Sequence, residues 1–227
     1  MRLSIIIPVL NEAAGIEPLL LRLAPLRARG AQLVVVDGGS SDATLALARP
    51  HADQLITAPR GRASQMHAGA LAAVGDALLF LHADTLLPPD VDELIGAALR
   101  SRPWGRFDVA LDGAHPMFRV IAAMMNWRSR VTSIATGDQA LFMHRAFYLQ
   151  AGGFPQIALM EDIAFCKRAR RLARPACLRQ RVLTSSRRWE KHGIWRTIWL
   201  MWRLRLAYFL GADPRRLAQQ YGYRKQA

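Results

Sequence analysis

A strand-like run in this chain ends in two polar side chains that could bind a ligand. His82-Ala83-Asp84 follows the apolar run Leu78–Leu81, which is long enough for one buried strand. Side chains two residues apart at a strand end lie on the same side, and parallel α/β sheets bind ligands beyond the carboxyl ends of their strands. A carboxylate there suits a divalent cation that carries phosphates. The alternative is an aspartate that only caps the next helix.

A second carboxylate follows another strand-like run. Val34–Val36 leads into Asp37, two glycines and a turn rich in Ser and Asp that suits the start of a helix. An acidic residue at this point can accept hydrogen bonds from a base or a ribose. The phosphate-cradling patterns G-x-G-x-x-G and G-x-x-x-x-G-K-S/T do not occur in the sequence. A bound diphosphate would therefore be neutralised by a metal and by arginines.

Three later positions each allow two interpretations. Asp138 either occupies a turn or lines a ligand site, and we favour the ligand site. Arg188 either contacts phosphate or is a solvated charge, and we favour phosphate because Trp189 beside it would anchor the loop. His192 either binds a metal or is structural, and its isolation favours the structural role.

Strands and helices alternate over the first hundred residues and must position these groups. Short apolar runs predict strands at Leu3–Ile7, Leu33–Val36, Gln54–Thr57 and Ala77–Leu81, with helical patterns between them. This spacing predicts right-handed βαβ units and a mostly parallel sheet, which is an α/β fold. The later part is less regular, with strands predicted at Arg106–Leu111 and Gln139–His144 and helices at 117–130 and 161–171.

The composition fits one large globular domain with a basic C-terminal part. Hydrophobic residues make up 52% of the 227 residues, and the net charge is +14. Residues 163–227 hold 17 Lys and Arg against two acidic residues, whereas residues 1–162 are nearly neutral. Such a region favours an anionic partner: phosphate, a membrane surface or nucleic acid. Two cysteines without disulfide or zinc spacing suit a reducing compartment, and the first predicted strand leaves no room for a signal peptide.

The predicted last helix, at about residues 193–210, has an aromatic face bordered by arginines. Trp195, Trp199, Trp202, Leu206 and Phe209 recur at helical spacing, and the opposite face is also largely apolar. Three arginines argue against a membrane span, which needs about 20 nearly uninterrupted apolar residues. We expect one face to pack on the domain and the aromatic face to meet a lipid interface or a partner. A wholly buried helix whose arginines reach out to water is the alternative.

Several short segments, taken together, resemble the ordered motifs of family 2 glycosyltransferases. They are Pro8–Glu12, Asp37–Thr44, Gly61–Ala70, His82–Thr85 and Glu161-Asp162, and Arg187–Trp189 resembles the later Arg-Trp element of that family. Each motif is short, but their order and spacing over residues 3–190 are specific. The resemblance implies the GT-A fold, a three-layer α/β/α sandwich with a mostly parallel central sheet. The chain looks most like the small, single-domain bacterial branch of the family.

The resemblance also implies roles for the matching positions. A nucleotide-sugar site would comprise Pro8, Asn11, Glu12, Asp37, Arg60, Arg62, His82, Asp84 and Arg188, with Asp37 nearest the base. Asp84 would bind Mg²⁺ or Mn²⁺, with His82 as a candidate second ligand. Asp162, with Glu161 beside it, would be the general base. Asp138, Gln139 and Trp189 would lie near the acceptor or the donor sugar.

Three positions depart from the family pattern. His82 stands where the first metal-motif carboxylate is usually Asp, and a neutral imidazole can bind Mn²⁺ but adds no negative charge. His67 stands where an amide side chain is more usual. Gly39 replaces a second acidic residue after Asp37, which would loosen the recognition of the nucleoside.

These features together predict an inverting, metal-dependent glycosyltransferase. It would move a sugar from a nucleoside-diphosphate sugar, with UDP as the expected carrier, to an acceptor hydroxyl. The basic tail and the aromatic helix suggest a lipid or lipid-linked acceptor and peripheral attachment to the cytoplasmic face of the cell membrane. Residues 1–192 would form the catalytic domain and residues 193–227 a helical appendage.

Two other functions compete with this prediction. A sugar nucleotidyltransferase shares the layout but normally carries a Gly-rich, basic loop after the first strand, where this chain has Pro8–Glu12. A basic nucleic-acid-binding protein would account for the charge, but no RNA-binding signature accompanies it, and we expect no nucleic-acid partner.

Overall fold

The computed structural model describes residues 1–223, in which one eight-stranded sheet carries helices on both faces. The strands are β1 (Leu3–Val9), β2 (Gln32–Asp37), β3 (Gln54–Thr57), β4 (Ala77–Phe80), β5 (Thr85–Leu86), β6 (Trp104–Leu111), β7 (Phe142–His144) and β8 (Ala176–Thr184). The helices are α1 (Ala13–Ala28), α2 (Thr44–Ala48), α3 (Arg62–Ala72), α4 (Val91–Leu99), α5 (Met117–Thr132), α6 (Arg145–Gln150), α7 (Glu161–Leu172), α8 (Arg187–His192), α9 (Ile194–Phe209) and α10 (Pro214–Tyr221).

The order of the strands places the segments that follow β1, β2 and β4 at one edge of the sheet. The order is β3-β2-β1-β4-β7-β6-β8-β5, and β1 to β4 are parallel. β7 is antiparallel to both β4 and β6, while β8 is parallel to β6. The predicted α/β fold with a mostly parallel sheet is thereby confirmed. Because β2, β1 and β4 are neighbours, the segments that follow them meet at their carboxyl ends.

Alternating side chains of the central strands build two cores, one on each face of the sheet. On β1, Ile6 belongs to one core, and Ile5 and Ile7 belong to the other. β4 divides in the same way, with Leu78 on the first face and Leu79 on the second. This is the two-residue period of a strand covered by helices on both faces, so nearly every residue of these strands is buried.

The C-terminal helices pack onto the same core as the sheet. Leu204 of α9 is fully buried, and Leu217 and Ala218 of α10 are 2% and 4% exposed. All three belong to the buried cluster that also contains Ile163 and Phe165 of α7. Within residues 1–223, no helix combines the length and the apolar composition needed to cross a membrane.

One predicted strand is shorter in the structure. The sequence predicts a strand from Gln139, but Gly137–Gln139 forms a 3₁₀ turn and the strand begins at Phe142. The Gln139 side chain is fully buried, and its Oε1 accepts a hydrogen bond from the Thr136 backbone N–H at 3.4 Å. Ala140 then takes a φ of 46°, in the left-handed region, which ends the turn.

Candidate active site

A cleft of about 750 Å³ opens where β1 and β4 end and α3 begins. Its volume lies in the range of small-molecule sites. One wall comes from the chain after β1 and β4, and the opposite wall includes residues of α10 and Tyr223. Six of the lining residues belong to the site expected from the sequence, namely Pro8, Glu12, Arg60, Arg62, His82 and Asp84.

Asp84 faces Arg187, which belongs to the Arg187–Trp189 motif but has no role assigned from the sequence. Arg187 Nη2 lies 3.9 Å from Asp84 Oδ2 and 4.0 Å from Glu12 Oε2. Burial raises the pKa of Glu12, and the charge of Arg187 partly offsets this. Ion pairs this long between partly exposed groups contribute little to stability. A bound phosphate could therefore attract Arg187 without a large loss elsewhere.

His82 pairs with Asp138 instead of standing beside Asp84. Its Nδ1 lies 3.2 Å from Asp138 Oδ1, and its side chain is 8% exposed. The other edge of the ring packs against Gly137, where an added Cβ would come within 2.5 Å of His82 Cε1 and Nε2. Both ring nitrogens therefore face the 137–138 turn. The role of His82 as a second metal ligand stays a prediction, and in this structure it would require the ring to leave both contacts.

The contact with His82 favours the ionised form of Asp138. Burial raises the pKa of Asp138, but the hydrogen bond from His82 and the positive charges of His82, Arg62 and Arg128 outweigh it and hold the pKa below its usual range. An ionised Asp138 is therefore held beside His82, which lines the cleft.

Glu161 and Asp162 lie in the first turn of α7, where the helix macrodipole favours negative charge. Asp162 Oδ2 accepts a hydrogen bond from the Gly137 N–H at 3.0 Å, and its Oδ1 accepts one from the Ile163 N–H at 2.7 Å. Burial and the charge of Asp162 raise the pKa of Glu161 to about 7. Burial also raises the pKa of Asp162. Glu161 can therefore take up a proton near neutral pH, and the raised pKa of Asp162 also favours the uptake of a proton, as a general base requires.

The loop after β2 is held by Asp37 and Asn11. Asp37 is 2% exposed, and its carboxylate accepts hydrogen bonds from the Gly39 and Ser40 backbone N–H groups. Asn11 has a φ of 54°, and its Oδ1 accepts a hydrogen bond from the Ser41 N–H at 2.8 Å. Asp37 therefore supports this loop, and its contact with a base stays a prediction.

The carboxylate set fits a divalent cation that is held together with a diphosphate. Mg²⁺ bound in this way needs one or two protein carboxylates, because phosphate oxygens and waters complete its octahedron. Asp84 is one-third exposed on the cleft wall, and Glu12 is its nearest acidic neighbour there. No group of three or more His, Cys, Asp and Glu side chains within residues 1–223 would hold a metal alone.

Comparison with known proteins decides the family. The sequence profile of the family described as Glycosyl transferase family 2 matches residues 4–149, which is more than half of the chain. The chain belongs to glycosyl transferase family 2. It is therefore a glycosyltransferase, as the sequence predicts. No curated protein sequence matches the chain significantly.

Solved structures share the fold of this family 2 glycosyltransferase. TarS 1–349 of S. aureus superposes with a TM-score of 0.66 at 20% identity, covering 82% of this chain and 61% of TarS 1–349. Glucosyl-3-phosphoglycerate synthase of Mycobacterium tuberculosis, in complex with Mg²⁺ and UDP, superposes with a TM-score of 0.58 at 19% identity, covering 81% of this chain and 70% of the synthase. The chain thus spans about 61% of the length of TarS 1–349. Likeness at this identity concerns the fold.

Arginines surround the cleft of the glycosyltransferase. Arg60 and Arg62 line it, and Arg62 lies within electrostatic range of Glu161 and Asp138. Arg188, expected at the diphosphate, instead donates from Nη2 to the Tyr221 carbonyl at 2.7 Å. The guanidinium that reaches Asp84 is that of Arg187.

Several residues considered from the sequence lie outside the cleft lining: Asp138, Gln139, Glu161, Asp162, Trp189 and His192. Gln139 is fully buried, and its Nε2 donates to Ser129 Oγ at 3.0 Å, so it braces the turn that carries Asp138. Trp189 is half-buried on α8, and His192 is exposed at the end of that helix. Neither lines the cleft.

Two residues that support the site have no prior assignment from the sequence. Gln65 is buried, and its Nε2 donates to the Val9 and Val36 carbonyls at 2.8 Å each, which joins the ends of β1 and β2. Arg128 has buried Nε and Nη2 atoms without a hydrogen bond within the described residues, and it lies within electrostatic range of Asp162 and Asp138. Gln65 belongs to the Gly61–Ala70 motif, which is the signal that could have identified it, whereas Arg128 is one of three arginines in α5 and the sequence does not distinguish it from the others.

Proposed function

We propose that this glycosyltransferase is inverting and metal-dependent, and that it transfers a sugar from a nucleoside-diphosphate sugar to the hydroxyl of a lipid or lipid-linked acceptor. The single observation that carries the donor half is the cleft that places Asp84, Glu12, Arg60 and Arg62 around one space.

Structural relatives support a uridine diphosphate carrier. Structures of TarS 1–349 are known in complex with UDP and with UDP-GlcNAc, and glucosyl-3-phosphoglycerate synthase is known with UDP and Mn²⁺. This chain shares their fold. In our proposal the nucleoside lies against Pro8 and Glu12, with the Asn11 and Asp37 loop supporting it from behind.

The proposed reaction uses a base on one side of the sugar and positive charge on the other. Asp162, with Glu161 beside it, takes the proton of the acceptor hydroxyl as the acceptor oxygen attacks the anomeric carbon. The bond from that carbon to the diphosphate breaks with its electron pair, through an oxocarbenium-like transition state. Arg60, Arg62 and Arg187 stabilise the charge that grows on the leaving diphosphate. One base and no enzymic nucleophile give inversion at the anomeric carbon.

Mg²⁺ or Mn²⁺ is the proposed cofactor, and Asp84 is its proposed protein ligand. A bound divalent cation would supply further stabilisation of the negative charge on the diphosphate. His82 instead keeps Asp138 ionised and in place through the contact from its Nδ1. Asp138 in turn lies on the acceptor side in our proposal, close to Asp162, whose Oδ2 binds the neighbouring Gly137.

The exposed face of α9 supports the membrane half of the proposal. Trp195, Trp199 and Trp202 are 72%, 62% and 69% exposed, and Leu206 and Phe209 on the same face are more than half exposed. No acidic residue occurs in α9, which carries three arginines. An amphipathic helix with exposed tryptophans and basic flanks is typical of attachment in the interface of an anionic membrane.

α5 presents a second stripe of the same character. Val120, Met124, Trp127 and Val131 are each more than half exposed and recur at helical spacing, and α5 also lacks acidic residues. Both helices end at α7. Arg170 donates to the Thr132 carbonyl of α5 at 2.9 Å, and Lys167 lies 4.2 Å from the centre of the Phe209 ring of α9. Because the apolar stripes of α5 and α9 both end near the same turn of α7, both would contact the same membrane surface.

The product of the reaction tests the proposed function. The full chain is incubated with nucleoside-diphosphate sugars, Mn²⁺ and vesicles made from extracted membrane lipids, and soluble nucleotides and labelled lipids are separated. We expect release of a nucleoside diphosphate that parallels the appearance of sugar in the lipid fraction. Pyrophosphate release from a nucleoside triphosphate and a sugar phosphate would instead establish a nucleotidyltransferase.

A further inference from the structure

Helix α10 has a defined start and a defined end. The Asp213 side chain accepts a hydrogen bond from the Arg215 N–H at 2.9 Å, and Pro214 opens the helix. At the other end Gly222 has a φ of 103°, and the Tyr223 N–H donates to the Ala218 carbonyl at 2.9 Å. This pair of signals is a helix N-cap and a Schellman-type C-cap. The helix therefore has a fixed length, and Tyr223 returns against its last turn.

The buried face of α10 fixes which of its residues reach the cleft. Leu217 and Ala218 pack into the core at 2% and 4% exposure. Arg215 and Gln219 are exposed and line the cleft together with Ala218 and Tyr223. Residues spaced by three and four share one helix face, which is why Arg215, Ala218 and Gln219 point to the same side. Arg216 and Gln220 do not line the cleft.

A further contact ties the end of α10 to the segment expected to bind phosphate. The Arg188 guanidinium lies 3.5 Å from the centre of the Tyr221 ring, and Arg188 Nη2 donates to the Tyr221 carbonyl at 2.7 Å. Tyr221 also packs edge-on against Tyr223, with ring centres 5.2 Å apart. α8 and the end of α10 are thus joined beside the cleft, which holds α10 in its position.

We propose that α10 is a wall of the donor site and that Arg215 binds the diphosphate of the nucleoside-diphosphate sugar directly. The inference rests on the proposed function, since it assigns a new ligand to the same cleft. Arg215 shares that cleft with Arg60, Arg62 and Asp84, where the diphosphate would lie. The chain has no glycine-rich phosphate loop, so side-chain cations must supply the contacts. The C-terminal segment is then part of the binding site.

Arg216 offers a matched control for the test. Arg215 and Arg216 are adjacent, exposed residues of one helix, and only Arg215 lines the cleft. Full-length wild type, Arg215→Ala and Arg216→Ala are titrated in a calorimeter with UDP, GDP, ADP and CDP in the presence of Mn²⁺. The nucleoside of the tightest ligand is titrated by NMR, and melting temperatures are recorded for all three proteins.

The expected result is specific to one arginine and to phosphate. Arg215→Ala should weaken binding of the nucleoside diphosphate about tenfold, the loss of one charge-assisted hydrogen bond, and leave nucleoside binding and melting temperature unchanged. Arg216→Ala should bind within about twofold of wild type, because surface charges that make no contact with a ligand are screened by salt. Equal weakening in both variants, or none in Arg215→Ala, would overturn the role of Arg215 while leaving the proposed function intact. Failure of the wild type to bind any nucleoside diphosphate would overturn both.

Discussion

His82 Nδ1 lies 3.2 Å from Asp138 Oδ1, and Gly137 fills the space against the other edge of the ring. The strand end at β4 is thereby linked to the turn that also binds Asp162 through the Gly137 N–H. One glycine consequently contacts both His82, which lines the cleft, and Asp162 of α7. A residue with a side chain at position 137 would disturb both sides together.

We predict that Gly137→Ala impairs the enzyme strongly. The added Cβ would come within 2.5 Å of His82 Cε1 and Nε2, so the ring must move. Overpacking of this kind costs about 1–3 kcal/mol of stability, measured by urea unfolding, and transfer activity should fall with it. Gly96→Ala is the control, since its Cβ on α4 would meet only Met1 Cε at 3.8 Å. An active, fully stable Gly137→Ala variant would show that His82 does not occupy this position.

The pKa of Glu161 predicts a pH-dependent stability. Burial, followed by the charge of Asp162, raises this pKa from 4.5 to about 7. As pH rises from about 4.5 to 7, the unfolded chain loses this proton while the folded chain keeps it, so stability falls over that interval. Glu161→Gln should therefore be more stable than wild type at pH 8, by about 1–3 kcal/mol, and nearly equal to it at pH 4.5. Thermal unfolding at both pH values checks the sign. Equal stability at pH 8 would show that Glu161 is not desolvated.

Arg187 is predicted to contribute to donor binding. Arg187→Ala removes the cation near Asp84 and Glu12, and we expect about five- to tenfold weaker binding of a nucleoside diphosphate with little change in stability, because the side chain is 66% exposed. Arg179→Ala on β8 is the matched control, as Arg179 is also exposed and does not line the cleft. The same weakening in both variants would point to overall charge in place of a contact.

The tryptophan face of α9 is predicted to bind anionic vesicles. Trp199→Gln/Trp202→Gln should abolish sedimentation with vesicles that contain anionic lipids, because it removes two side chains that are 62% and 69% exposed. The fold should persist, and donor binding should not change. Leu71→Gln, which alters an exposed apolar residue of α3, is the control and should sediment like wild type. Unaltered sedimentation of the double variant would refute attachment through this helix.

The parallel half of the sheet could be predicted from the sequence because each of its strands is an apolar run. β8 could not be predicted in this way, since Arg179, Gln180 and Arg181 are exposed and interrupt its apolar pattern. α10 is likewise not predicted from the sequence, although Asp213-Pro214 and Gly222 mark its two ends. These are local signals, and nothing in the sequence shows that the helix they define returns to the cleft.

The site could be predicted as a set of segments but not in every contact. Residues that follow β1 and β4 do line the cleft, because parallel strands end at one edge. Arg187 and Arg188 are adjacent, and neighbours on a helix differ by about 100° in direction, so only the packing of α8 decides which one faces Asp84. The same holds for His82, whose partner Asp138 is 56 residues away in sequence.

The metal dependence of donor binding tests the central claim most directly. UDP, GDP, ADP and CDP are titrated into wild type and Asp84→Asn with Mn²⁺ and with EDTA, and the melting temperatures of both proteins are compared. Mn²⁺ should tighten binding of at least one nucleoside diphosphate by about tenfold or more in wild type, since Asp84 and the diphosphate hold the cation together. Asp84→Asn should fold normally and bind equally with and without Mn²⁺. Metal-dependent binding of the same strength in Asp84→Asn would contradict the assignment of Asp84 and of the cleft around it.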